Sequence, residues 1–250
     1  MVEMLRVVMG KREKIFKAFK TSLPIAFGYI SLGFMAGAMV QKVGFNVIEV
    51  LLMSGLIFSG SAVFITANML SAGINPQISI YLIATILITN LRNVMYSSSL
   101  VSDTEDLKGR KKLLFAQFIT DETFAVNKIA FKNDKEWDGD SALYLSLFAC
   151  VYGLIGNGLG AAFGQVIDIP LDLGFFMMSS MFIVLTVLQV SNKTDIIMVG
   201  ISVVVSFIVL SFYQGGLDLI IIALIVAAIG YFIDKNSERK RGEANEQHVS

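Results

Sequence analysis

The segment Asn90-Leu91-Arg92-Asn93-Val94-Met95-Tyr96 places a guanidinium well inside an apolar run, 78 to 101. On a helix Thr89, Arg92, Asn93 and Tyr96 lie three or four positions apart and share one face, giving the cation amide and hydroxyl neighbours. An arginine at mid-bilayer costs about 2.5 to 3.5 kcal/mol even on the lenient insertion scale. It must therefore face protein or water. The available counter-charges are Asp121 and Glu122, in Thr120-Asp121-Glu122-Thr123-Phe124. Adjacent helical residues point roughly 100° apart, so the two carboxylates cannot serve one partner equally. One is expected to pair with Arg92. The other is then free to meet a substrate ammonium or to carry a coupling proton, because a carboxyl in an apolar cavity is driven towards its neutral form. A structural ion pair, or an interfacial helix end for Asp121 and Glu122, accounts for the same residues without transport.

Two glycine clusters accompany these groups. Gly28, Gly33 and Gly37 follow Pro24 in one apolar run, and Gly153, Gly156, Gly158, Gly160 and Gly164 occupy another. Small residues let membrane helices approach closely, which is the simpler reading. The sharper one is local unwinding, where exposed backbone groups bind the charged ends of a ligand. Ser54, Ser59, Gly60 and Ser61 could add polar contacts, although serines in membrane helices commonly bond back to their own helix.

The chain around these groups is 55% hydrophobic and 16% charged, with mean hydropathy +0.70. Of the 40 Asp, Glu, Lys and Arg residues, 32 fall in three blocks: 1–20, 102–140 and 234–250. Such a chain needs lipid as its solvent. Its net charge of zero gives no reason to expect a nucleic-acid partner. Cys150 is the one cysteine and His248, in the polar tail, the one histidine, so an internal disulfide, a histidine-based zinc site and a Ser-His-Asp triad are all excluded. No GxxxxGK[ST] motif is present, and no cofactor is expected.

Apolar runs at 21–40, 51–72, 78–101, 142–167, 173–190, 196–213 and 217–233 are long enough to cross a bilayer. A further segment, 113–131, is apolar but interrupted by Asp121, Glu122 and Lys128. The expectation is an all-α polytopic membrane protein of seven or eight transmembrane helices in a single domain, since backbone in lipid must satisfy its own hydrogen bonds. Residues 1–20 form a basic cytoplasmic segment, 102–141 a charged connecting region carrying the polar helix 113–131, and 234–250 a polar tail. Six N-terminal cations favour a cytoplasmic N-terminus and eight spans, which strands Lys108, Arg110, Lys111 and Lys112 outside. Trp137 and the acidic stretch around it read as an interfacial loop. Gly28, Ile30, Gly33 and Ala36 are echoed by Gly153, Ile155, Gly158 and Ala161 at an offset of 125 residues, making 21–101 and 142–233 candidate repeats. Glycine and alanine are common enough in membrane helices to produce that echo by coincidence.

Together these residues resemble the AzlC family, the large subunit of branched-chain amino-acid exporters. The resemblance runs over about 15–233. It rests on Pro24-Ile25-Ala26-Phe27-Gly28-Tyr29 with Gly33 and Gly37, Met53-Ser54 with Phe58-Ser59-Gly60-Ser61, Asn90-Leu91-Arg92 with Tyr96 and Leu100, and Thr120-Asp121-Glu122 with Phe124-Ala125. It implies a bacterial cell membrane location, export of branched-chain amino acids coupled to a proton gradient, and a small separate AzlD-type membrane subunit as partner. Two positions depart from the family pattern: Asn93 replaces a histidine and Val63 a glutamine, removing a titratable group and an amide. A transported zwitterion would have its charges met by Arg92 and by Asp121 or Glu122, with its side chain against Phe27, Tyr29, Phe58 and Phe64. Competing readings are a membrane-embedded enzyme using Asp121 and Glu122 as acid and base, which lacks a nucleophile and a metal-ligand set, and a regulatory or structural subunit without a pathway of its own.

Overall fold

A computed structural model describes residues 10–71, 73, 75–164, 166, 170–190, 192–213, 218 and 221–233. Among the described residues every regular element is a helix: α1 (Lys11–Lys42), α2 (Val47–Ile57), α3 (Gly60–Ser71), α4 (Pro76–Ser99), α5 (Arg110–Phe118), α6 (Asp121–Asn133), α7 (Gly139–Phe163), α8 (Leu171–Gln189), α9 (Lys193–Phe212) and α10 (Ile221–Ile233). Four of them, α1, α4, α7 and α9, are long and apolar enough to cross a membrane. The polar tail 234–250 lies outside the described residues, as do residues 1–9 of the N-terminal segment.

Helices α1 and α7 form the spine. They run in the same direction, because Lys14 meets Asp138, Ser22 Oγ lies 3.0 Å from Tyr152 Oη, and Gly33 packs on Gly156. Their glycines permit backbone contact: a Cβ on Gly156 would lie 2.8 Å from the Ile30 carbonyl oxygen, and one on Gly160 would overlap the Phe34 carbonyl. Of the glycines singled out in the sequence, Gly33, Gly37, Gly153, Gly156, Gly160 and Gly164 line this helix–helix interface, as close approach requires, whereas Gly28 and Gly158 do not.

The apolar run 51–72 is not one helix. It breaks at Phe58, whose φ of 41° and ψ of 64° put a bulky residue in the left-handed region. Helices α2 and α3, of 11 and 12 residues, are each only about 16 to 18 Å long at 1.5 Å per residue. Helix α2 runs antiparallel to α7, with Leu51 against Gly158 and Gly55 against Leu154. After Ser59 the chain turns back, since Val63, Phe64 and Ala67 rejoin the cluster around Met35, Met39 and Val40 near the C-terminal end of α1. The pair is a hairpin that enters the bundle to mid-depth and leaves by the end at which it entered.

The stretch 113–131 corrects the expectation of one polar helix in the same way. Helix α5 starts beside the N-terminus of α7, where Lys111 Nζ lies 2.6 Å from Asp140, and rises until Phe118 packs edge-on against Phe58, ring centroids 5.4 Å apart. Ile119 and Thr120 are extended. Thr120 then caps α6, its Oγ1 accepting from Thr123 N–H while its own N–H donates to Thr123 Oγ1 at 2.8 Å. Helix α6 descends to the starting end, where Asp134 meets Lys17. Two hairpins therefore enter from opposite ends of the spine and meet tip to tip, joined by Gln117 Nε2 donating to the Leu56 carbonyl at 2.8 Å. Lys111 lies with the N-terminal cations and not across the bundle from them.

Trp137 is buried and not an interfacial side chain; its Nε1–H donates to Asn127 Oδ1 at 3.2 Å. Around it the N-terminal end is closed by ion pairs of Lys14 with Asp138 and of Lys17 with Asp134 and Glu136. Burial by itself would raise the Asp138 carboxyl, but hydrogen bonds from Lys14 and Ser141 outweigh it and hold it below its ordinary range; Asp134 is lowered by Lys17 and by the Glu136 backbone N–H against the same opposing burial. A carboxylate with a depressed folded-state pKa contributes stability that is fully present above its unfolded pKa and lost as pH falls through the folded value. Thermal stability in detergent is thus expected to be flat down to about pH 5 and to decline below about pH 4. Asp138→Asn should lower the neutral-pH plateau and shrink that acid decline, as a melting series across pH would record.

Candidate functional site: a cavity between the hairpin tips

Where the hairpins meet, they and the spine enclose a cavity of about 310 Å³. Pro24, Gly28, Tyr29 and Gly33 of α1 form one wall; Ser59, Gly60 and Ser61 come from the first tip, Thr120, Asp121 and Glu122 from the second, Arg92 and Asn93 from α4, and Gly153 and Asn157 from α7. Pro24 sits within α1, where it cannot donate a backbone hydrogen bond to the preceding turn. Gly28 faces open space, nothing lying within 4 Å of a Cβ placed there, so its missing side chain adds directly to the cavity.

Arg92 bridges the two tips. Its Nη2 donates to Ser61 Oγ at 2.9 Å, its Nη1 lies 3.1 Å from Asp121 Oδ2, and the Phe182 ring of α8 lies 5.7 Å from the guanidinium carbon. Asp121 and Glu122 occupy the first turn of α6, where the helix dipole favours negative charge. They point to different partners, as their angular separation requires. Glu122 Oε2 accepts from the Tyr29 hydroxyl at 2.9 Å, and among the described residues no cation pairs with it. With both carboxylates ionised the three charged side chains carry one excess negative charge. Arg92 Nε, Asp121 Oδ1, Ser54 Oγ and Asn157 Oδ1 are buried without hydrogen-bond partners, and all four residues line the cavity. Unsatisfied buried polar atoms are costly, and their concentration here leaves the wall ready to bond a polar guest.

Arg92, Asn93, Asp121, Glu122, Gly28, Gly33, Ser59, Gly60 and Ser61 are thus brought together, whereas Asn90 and Tyr96 are not. Asn90 lines a neighbouring cleft between α2, α4 and α5 with Gln117 and Asn93. Tyr96 stacks on Phe124, centroids 4.5 Å apart. Of the aromatic residues assigned to the substrate side chain, Tyr29, Phe58 and Phe64 line the cavity, but Phe27 points away and is 81% exposed. Sequence reasoning missed Thr120 and Asn157. The amide of Asn157, set between Gly156 and Gly158 in an apolar run, was the available signal for the second.

Long apolar helices, a spine in backbone contact and two broken helices around a charged cavity define a multi-pass membrane protein with an internal polar site. The chain belongs to the AzlC protein family, whose pattern matches residues 24–167. It is 30% identical over 188 residues to the branched-chain amino acid transport protein AzlC of Bacillus subtilis, covering 72% of this chain and 71% of that one. An uncharacterized membrane protein of Haemophilus influenzae is 31% identical over 170 residues, 67% of each chain. Inner membrane protein YgaZ of Escherichia coli is 29% identical over 148 residues, 58% of this chain and 59% of that one. No solved structure matches the chain.

Proposed function

We propose that the protein is a secondary exporter of branched-chain amino acids, driven by an ion gradient and working with a small AzlD-type membrane subunit. The observation that carries this reading is Arg92 held between the hairpin tips by Ser61 and Asp121, with Glu122 left over beside it. A zwitterion cannot enter a low-dielectric pathway unless both of its charges are met. Its carboxylate fits Arg92 and the N-terminal amides of α3, and its ammonium fits the excess carboxylate. Tyr29, Phe58 and Phe64 offer the aliphatic side chain apolar surface. Breaks in two helices at the depth of the site supply the backbone groups that discontinuous helices use in transporters.

Glu122 serves as the coupling group. When a proton occupies it the cavity is neutral; when it is ionised the cavity attracts an ammonium. The cations of α5 and α6 lie with those of α1, which supports a cytoplasmic position for that end. The apolar outer faces of α4 and α9 suit lipid, and the cleft containing Asn90 and Gln117 suits the small subunit, whose polar groups would cover those amides.

Efflux of labelled leucine from vesicles containing this chain, alone and with the small subunit, tests the assignment. Glu122→Gln is expected to weaken leucine exchange, because the ammonium loses its carboxylate, and to abolish the response of the remaining net efflux to an imposed pH gradient. Leucine retained under every gradient, or efflux by Glu122→Gln that still follows pH, counts against export in the first case and against the coupling role in the second.

A further inference from the structure

We propose that the end of the cavity away from Arg92 is a hydroxyl-binding subsite, so that hydroxylated aliphatic amino acids such as threonine are exported alongside their branched-chain isosteres. The proposal rests on the export reading above and adds a substrate class to it.

The subsite is built from Ser54 on α2 and Asn157 on α7. Leu51 lies against Gly158 and Gly55 against Leu154, which puts Ser54 and Asn157 within about one helical turn of each other on facing antiparallel helices. Both residues are buried, 4% and 6% exposed, and both line the cavity. Asn157 Nδ2 donates to the Gly153 carbonyl at 2.9 Å, which turns its Oδ1 into a fixed, unpartnered acceptor. Ser54 Oγ is likewise without a partner. Thr66 and Ser146 show the usual alternative, donating to the carbonyl four residues earlier in their own helices; Ser54 does not. The surrounding wall is apolar: Leu32, Ala36, Val63 and Phe64. Asn157 packs through its backbone on Gly33, one helical turn along α1 from Tyr29, whose hydroxyl bonds Glu122, so the subsite and the charged groups share one cavity.

An aliphatic tip would leave both orphaned atoms unpaired. A hydroxyl satisfies both at once, donating to Asn157 Oδ1 and accepting from Ser54 Oγ–H. An ammonium is better served by Asp121 and Glu122. A metal cation would find two neutral oxygens and an apolar wall, and no His, Cys, Asp or Glu cluster able to hold one occurs among the described residues. Threonine and valine share a shape and differ by hydroxyl against methyl, so the pair isolates the contact.

Cells producing the full chain together with its small subunit and loaded with both labelled threonine and labelled valine provide the test, because expression and folding cancel in the ratio of the two effluxes. Wild-type cells are expected to release both, and Asn157→Leu and Ser54→Ala each to raise the valine-to-threonine ratio about tenfold. Should Asn157→Leu fail to fold, Ser54→Ala carries the comparison. Threonine retained while valine leaves, or a ratio unmoved in Ser54→Ala, overturns the subsite and spares the export reading. Retention of both amino acids removes the two together.

Discussion

Arg92→Gln is expected to reduce amino-acid efflux by about a hundredfold or more while the protein still reaches the membrane. The guanidinium ties the two hairpin tips together, through Ser61 and Asp121, and glutamine supplies neither its charge nor its span. Breaking a buried pair by removing one partner costs roughly 3 to 5 kcal/mol, because the abandoned charge remains buried. Asp121 is 6% exposed and would bear that cost, whereas Arg92 keeps 30% of its side chain open, which places the expected loss at the lower end of the range. The apolar helices that drive insertion are unchanged, so the chain should still reach the membrane. Asp121→Asn added to Arg92→Gln should therefore recover much of the lost thermal stability and none of the export. Efflux of labelled leucine, membrane-fraction yield and melting temperature for the two single variants and the double variant separate these effects. Efflux at wild-type rate in Arg92→Gln would refute a role for the bridge in transport.

Gly160→Val should act at an earlier stage, by preventing assembly. A Cβ at this position overlaps the Phe34 carbonyl and lies 2.9 Å from the Ala38 amide nitrogen, so no rotamer change in a neighbour can relieve it. The helices α1 and α7 must separate, and both cavity walls separate with them. Overpacking that forces backbone movement costs about 1 to 3 kcal/mol or more, a large share of the stability of a protein this size. Folded protein recovered by size exclusion in mild detergent is expected to fall about tenfold or more. Gly28→Val is the matched control: its Cβ meets nothing within 4 Å, yet it projects into the cavity. That variant should fold normally and transport poorly. Equal recovery of the two variants would show that α1 and α7 tolerate separation.

The two substitutions mark how differently the parts of the site could be read in advance. Arg92 stands out in any sequence, because an isolated guanidinium in an apolar run has to be compensated, and Asp121 and Glu122 are carboxylates that themselves interrupt an apolar segment. Which carboxylate pairs was open, since both sit in the first turn of the same helix and only the placement of α6 fixes their azimuth. Asn157 gave a weaker signal: one amide among glycines looks like any packed polar residue until α2 is laid against α7. Asn90 and Tyr96 share the Arg92 segment, but a helix face is wider than a cavity, and these two turn to other neighbours.

The chain by itself determined that it is helical, that lipid is its solvent and that a few charged groups must be gathered inside, because hydropathy and the cost of burying charge act locally on residue types. Only the tertiary structure decided that 51–72 and 113–131 fold back on themselves. A break of one or two residues vanishes in an averaged hydropathy profile, Phe58 carries no glycine to announce its left-handed backbone, and the direction a helix takes after such a break is set by what it can pack against. That direction, fixed by contacts between residues far apart in sequence, brings the tips together around Arg92 and so creates the cavity.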